Sequence, residues 1–208
     1  MIVFDFDGVI ADSLAVCRRA CIEAAARQEV MLDLCENPFS ELDPLTFGAL
    51  ATLHGLSADR FTLDVANAIA RESISPVFTG MAEILRDVAR RDQIVILSAS
   101  TEGVIRRFLE FHGLREVVSR VIGIDSVGTK AVWLAHLLKE NASNNLVMVG
   151  DAVSDFESSV AAHVPFVGVS WGWQSAQRLE SKGVDGLALK PSDLPRLITR
   201  ALRIASTS

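Results

Sequence analysis

The sequence predicts an α/β protein built on a parallel sheet, and three observations lead there. Short apolar runs ending in small or polar residues recur along the chain: MIVFDF at 1–6, QIVILS at 93–98, SRVIGI at 119–124, LVMVGD at 146–151 and PFVGVS at 165–170. Runs this short and rich in β-branched residues suit strands buried on both faces. Between them lie segments with apolar residues three and four apart: MAEILRDVARR at 81–91, EGVIRRFLEFHG at 102–113, KAVWLAHLLKEN at 130–141 and DLPRLITRALRI at 193–204. That spacing predicts helices, and strands alternating with helices imply crossover connections between parallel strands. Finally, half of the 208 residues are apolar, enough to bury a sizeable core.

One stretch breaks the alternation. From Ser13 to about Ser75 only helical patterns occur: SLAVCRRACIEAAARQ, DPLTFGALATLHG and SADRFTLDVANAIARES. Ser13, Asp43 and Ser57 are candidate N-caps, and Pro44 suits a first helical turn. The expected organisation is a core of residues 1–12 and 76–208, with a small helical domain, 13–75, inserted after the first strand. CENPFSELDP at 35–44 is its most turn-like segment.

The net charge of −6 argues against a generic nucleic-acid binder. Cys17, Cys21 and Cys35 form no CxxC pair and read as packed apolar fillers in a reducing compartment. No apolar run approaches the roughly 18 residues of a membrane span, and the first residues already read as a strand, not a signal peptide. The expected location is the cytoplasm.

In a parallel sheet, ligands bind beyond the carboxyl ends of the strands. The first expected strand ends in Asp5 and Asp7, the second in Ser98, Ala99 and Ser100, and the fourth in Gly150 and Asp151, with Asp155 one helical turn on. Lys130 follows the third strand at a helix start. Acids, hydroxyls and one ammonium therefore gather at one edge. Carboxylates this close repel one another unless a cation sits among them, and hard oxygen ligands suit Mg²⁺.

This combination resembles the haloacid dehalogenase superfamily of phosphohydrolases, in its branch with a helical cap after the first strand. DFDGVIADS resembles the family's first motif, ILSAS its second and VGDAVSD its fourth, and Lys130 is the candidate for the third. Lys130 is followed by Ala131 where the family often has Pro, and Ala99 stands where a polar residue is common. The resemblance implies a Rossmann-like core with the first and fourth strands side by side, and a cap that closes over the site. It also implies Mg²⁺-dependent hydrolysis of a small phosphomonoester, similar to phosphoglycolate phosphatases. Asp5 would be the nucleophile and Asp7 the general acid. Mg²⁺ would be held by Asp5, Asp7 (through its carbonyl) and Asp151, with Asp155 steadying that set and Gly8 permitting close backbone approach. Ser98, the Ala99 N–H and Lys130 would bind the phosphoryl oxygens.

The second acid, Asp7, points to phosphate chemistry over dehalogenation. The absence of lysine from 13–75 counts against a Schiff-base phosphonate hydrolase. A sugar-phosphate mutase of the beta-phosphoglucomutase type and a non-catalytic ligand- or partner-binding module remain alternatives. The expected partner is a small phosphorylated metabolite, with no nucleic acid and no membrane, for a monomer or homodimer. Arg18, Arg19, Arg27, Arg60 and Arg71 are equivalent candidates for a second anionic group, and Trp171 and Trp173 are expected to brace the loop that carries them.

Overall fold

The structure is a computed structural model and describes residues 1–72, 74–141, 145–184 and 186–205. Ser73 of the expected cap, and 142–144, Asp185 and 206–208 of the expected core, lie outside the described residues. Six parallel strands form the sheet: β1 (Ile2–Phe4), β2 (Ile94–Leu97), β3 (Arg120–Ile122), β4 (Val147–Gly150), β5 (Phe166–Val169) and β6 (Leu187–Ala188). Their order is β3-β2-β1-β4-β5-β6, so β1 lies between β2 and β4. The α/β class with a parallel Rossmann-like sheet is as the alternation predicts. β6 is the strand the sequence does not announce, since two residues carry no periodicity.

Side chains alternate across each strand, and the two faces bury different sets. Ile2 and Phe4 join Ile94, Ile96, Val147 and Val149 on one face. That face packs against α4 (Met81–Ala89), α5 (Glu102–Phe111) and α9 (Leu194–Ala205). Val3 joins Val95, Leu97 and Met148 on the other, beneath α6 (Lys130–Glu140). Phe4 is fully buried, and Phe4→Ala leaves a cavity at the sheet centre. It is expected to lower unfolding stability by about 3–5 kcal/mol, read as a drop in urea midpoint at unchanged slope.

The inserted segment holds α1 (Leu14–Ala26), α2 (Phe47–Leu53) and α3 (Ala58–Arg71). These bury their own cluster, including Ala20, Cys21, Leu50, Phe61 and Val65. The outgoing and returning strands of chain run antiparallel, with Ala11 bridging Val77. The Asp12 N–H donates to the Pro76 carbonyl at 2.9 Å and the Phe78 N–H to that of Ile10 at 3.1 Å.

Two local expectations are corrected. Asp43 and Pro44 do not begin a helix: α2 starts at Phe47, capped by the Thr46 hydroxyl, which accepts from the Ala49 N–H at 3.0 Å. The Asp43 carboxylate is instead drawn to Arg178 at 2.9 Å. Cys17 and Cys21 are buried on α1, but Cys35 is exposed, in the loop after Leu34, and is not a packing residue. Among the described residues no helix is long and apolar enough to cross a membrane.

Candidate active site

Parallel pairing fixes the first contact of the site. The Asp5 N–H donates to the Val149 carbonyl at 2.9 Å, so the residue that ends β1 stands beside the end of β4, where Asp151 follows Gly150. Lys130, the first residue of α6, places its Nζ 2.9 Å from Asp5 Oδ1 and 2.5 Å from Asp155 Oδ1. Asp155 is fully buried in the first turn of α7 (Val153–Ala161). Its other oxygen accepts from the Ala152 N–H at 3.3 Å. Asp155 therefore anchors Lys130 as well as the start of its own helix.

Asp151 is walled in by backbone. The loop after β5 brings the Trp173 N–H to Asp151 Oδ2 at 2.6 Å. Gly8 adopts φ 77°, and a Cβ there would stand 2.1 Å from Asp151 Oδ2. A Cβ at Gly172 would stand 2.2 Å from the Asp151 Cβ. Any side chain at either position would displace the carboxylate, and at Gly8 it would also be strained.

Asp7 is directed elsewhere. Its Oδ2 accepts from the Ser100 hydroxyl at 2.6 Å, a partner that sequence reading did not single out beside Ser98 and Ala99. Ser98 is buried, and its hydroxyl accepts from the Ser100 N–H at 3.0 Å, leaving its own proton to donate. Ala99 is exposed, and among the described residues its N–H makes no hydrogen bond. Hydroxyl and amide donors thus remain open at the end of β2.

Charge does not balance within this cluster. One oxygen each from Asp5, Asp151 and Asp155 lies within 4.8 Å of the others, all three residues buried. Lys130 supplies one positive charge against them, and Asp5 Oδ1, though close to it, has no aligned hydrogen bond. Burial pushes the Asp5 carboxyl up to about 7, with Lys130 opposing and Asp155 and Asp7 adding to the rise. Asp151 is pushed well up, first by burial and then by Asp5 and Asp155. Burial likewise raises Asp7, against the hydroxyls of Ser100 and Ser13. The Asp155 and Asp5 charges outweigh burial at Lys130 and hold it protonated. An excess of buried, hard, anionic oxygen fits a divalent cation such as Mg²⁺. Asp5, Asp151 and Asp155 are the residues that could hold it, Asp155 being the one most closely paired with Lys130.

The arginines of the insertion separate in the structure as they do not in the sequence. Arg19 pairs with Glu72 at 3.2 Å, Arg71 with Glu23 at 2.6 Å, Arg27 with Glu23 at 2.8 Å and Arg60 with Asp64 at 3.8 Å. Arg18 meets no carboxylate among the described residues. It is held by the carbonyls of Cys35, at 2.7 Å, and Leu34. Burial pushes the thiol of its neighbour Cys17 well up, and the Asp7 and Cys21 charges add to the rise. Trp171 donates its indole N–H to the Val9 carbonyl at 3.3 Å, and Trp173 stacks on Phe39 at 4.7 Å.

A phosphoglycolate phosphatase of Synechococcus elongatus is 28% identical over 213 residues, spanning 97% of this chain and 98% of its own. Among solved structures, a predicted phosphatase from Clostridium acetobutylicum superposes with a TM-score of 0.84 at 16% identity, covering 96% of this chain and 97% of its own. A haloacid dehalogenase-like hydrolase from Bacteroides fragilis gives 0.81 at 19% identity, covering 93% and 98%. The model of the haloacid dehalogenase-like hydrolases matches residues 2–169, and the chain belongs to that family of enzymes.

Proposed function

We propose that this enzyme hydrolyses a small phosphomonoester, of the phosphoglycolate type, with Mg²⁺ and through an aspartyl-phosphate on Asp5. The observation that carries this reading is the cluster of Asp5, Asp151 and Asp155 around Lys130, with open donors from Ser98 and Ala99 at the neighbouring strand end. Asp5 attacks phosphorus, a new O–P bond forms, and the ester oxygen departs. Asp7, whose raised pKa keeps it protonated further toward neutral pH, gives that oxygen its proton and then takes one from the water that hydrolyses the acyl phosphate. Ser100 holds the Asp7 carboxyl in place at 2.6 Å. Lys130, the Ser98 hydroxyl and the Ala99 N–H receive the phosphoryl oxygens. Asp5, the Asp7 carbonyl and Asp151 would hold Mg²⁺, which when bound would supply positive charge between the anionic nucleophile and the anionic substrate.

Arg18 supports an acidic substrate. It is the insertion arginine whose charge meets no acid among the described residues, its head group lying on the carbonyls of Cys35 and Leu34. Arg18→Ala is expected to raise KM for phosphoglycolate about tenfold or more, as loss of a charge-assisted hydrogen bond worth about 1.5–3 kcal/mol implies. The same variant leaves KM for p-nitrophenyl phosphate, which has no second anion, within about twofold.

The primary test is phosphate release from phosphoglycolate, sugar phosphates and nucleotides, with Mg²⁺ and with EDTA. Mg²⁺-dependent release with the highest kcat/KM on phosphoglycolate supports the reading. Isomerised sugar phosphate without free phosphate would assign a mutase, and metal binding with neither product a binding module.

A further inference from the structure

The loop after β5 grips the acid site with one hand and the helical insertion with the other. The Trp173 N–H donates to Asp151 Oδ2 at 2.6 Å, and the Trp173 carbonyl accepts from Asn37 Nδ2 at 2.8 Å. The next residue repeats the bridge. Gln174 Oε1 accepts from the Val153 N–H at 2.7 Å, and its Nε2 donates to the Leu42 carbonyl at 2.9 Å. The Gln174 side-chain amide is a single rigid plane, so the start of α7 and the insertion loop are tied through one planar group. Both residues are buried. Asn37 is itself shaped for the contact, since its Oδ1 accepts from the Phe39 N–H at 3.0 Å while Phe39 stacks on the Trp173 indole.

Among the described residues, neither Asn37 nor Gln174 hydrogen-bonds to the acid cluster. Two consecutive residues nevertheless connect loop 37–42 with the turn 151–153, each by one bond on either side. We propose that Asn37 and Gln174 are positioning residues that couple the seating of the insertion loop to the orientation of Asp151. With the loop seated, the Trp173 N–H is held on Asp151 Oδ2, which leaves Oδ1 to face the cation. When the loop lifts, the Trp173–Gln174 segment loses its outer anchors, and Asp151 loses a fixed donor. This coupling rests on the reading of Asp151 as a Mg²⁺ ligand. Partners that orient metal ligands typically change affinity or activity 10–100-fold when removed. Coupling is also reciprocal, so bound metal must favour the seated loop by the same factor.

The test measures Mn²⁺ binding by titration calorimetry, without substrate, in the wild type, Asn37→Asp, Gln174→Met and Ser40→Ala. Asn37→Asp keeps the acceptor for Phe39, removes the donor to Trp173 and turns a carboxylate oxygen, with its charge, against the Trp173 carbonyl. Ser40 sits in the same loop and bonds the Asn37 carbonyl at 3.4 Å, with no bond to Trp173 or Gln174. Mn²⁺ affinity is expected to fall about tenfold in Asn37→Asp and in Gln174→Met, and to stay within about twofold in Ser40→Ala. Hydrogen exchange gives the reciprocal readout: Mn²⁺ slows exchange across residues 36–43 in the wild type and not in Asn37→Asp. If the two variants melt at lower temperature yet bind Mn²⁺ as the wild type does, their role is packing alone and the coupling is overturned. A wild type that binds no Mn²⁺, or an Asp151→Asn that binds it unchanged, overturns the metal assignment itself, and the coupling with it.

Discussion

Asp5→Asn is expected to abolish phosphate release, lowering kcat by at least about 10⁴-fold, the scale at which loss of a nucleophile is felt in covalent catalysis. An amide at this position is a poor nucleophile and carries no charge for the cation. The substitution changes no volume, and Asp5 is buried at the end of the central strand, so the fold has no reason to move. The metal-free variant is expected to be more stable than the metal-free wild type, because an ionised carboxylate leaves a cluster already rich in them. Activity lost with melting temperature raised is the paired outcome to measure. Activity retained within about tenfold would place the nucleophile elsewhere.

The second large effect is on stability, and its sign follows from the direction of the acid pKa values. In metal-free protein Asp5 is raised to about 7 from 3.8, and Asp151 and Asp7 are raised as well. Folded protein therefore binds more protons than unfolded chain between about pH 4 and pH 7, and stability falls as pH rises through that window. For Asp5 the distance from 3.8 to about 7 corresponds to an effect on the order of 4 kcal/mol, at about 1.4 kcal/mol per pH unit. The Lys130 pKa is raised as well, but its titration lies far above this window, so its stabilisation is fully present throughout the range. Thermal melts in EDTA are expected to peak near pH 4–5 and decline toward pH 7.5. On the proposed reading Mg²⁺ binds the ionised acids, so its stabilising effect is expected to grow over the same interval. In Asp151→Asn both the decline and the Mg²⁺ response should shrink. A metal-free protein whose stability rises from pH 5 to 7.5 would contradict this account of the cluster.

Much of the fold is legible because its signals are local and strong. The five longer strands read as apolar runs, and the crossover helices read as three-and-four spacing; parallel pairing follows from their alternation. β6 escapes because Leu187–Ala188 is too short to show a period. The start of α2 is misread because Asp43 and Pro44 look like a cap, whereas the Arg178 guanidinium, distant in sequence, claims the Asp43 carboxylate. Cys35 looks like a filler by residue type and is exposed by its place in a loop. At the candidate site, residue types at strand ends single out Asp5, Asp7, Ser98, Lys130, Asp151 and Asp155, and the structure brings Asp5, Lys130, Asp151 and Asp155 together. What sequence does not carry is pairing. That Ser100 serves Asp7, that a backbone N–H from Trp173 serves Asp151, and that Arg18, among the described residues, meets backbone carbonyls and no acid are three-dimensional facts. A backbone donor leaves no residue-type signature, and five arginines on helices look alike until their partners are placed.

The position of β1 between β2 and β4 also bears on how the molecule is made. Phe4 pairs with Ile96 on one side and Val149 on the other, so the central strand is synthesised well before either neighbour. At about 5–20 residues per second, β1 waits roughly 10–30 seconds on the ribosome for β4. During that time an apolar strand with two open edges is available to pair wrongly with other chains. Asp5 cannot acquire Asp151 as its neighbour until the roughly 150 residues between them have been made, so nascent chains truncated before β4 should carry no acid cluster, and this enzyme's competence is acquired late in translation.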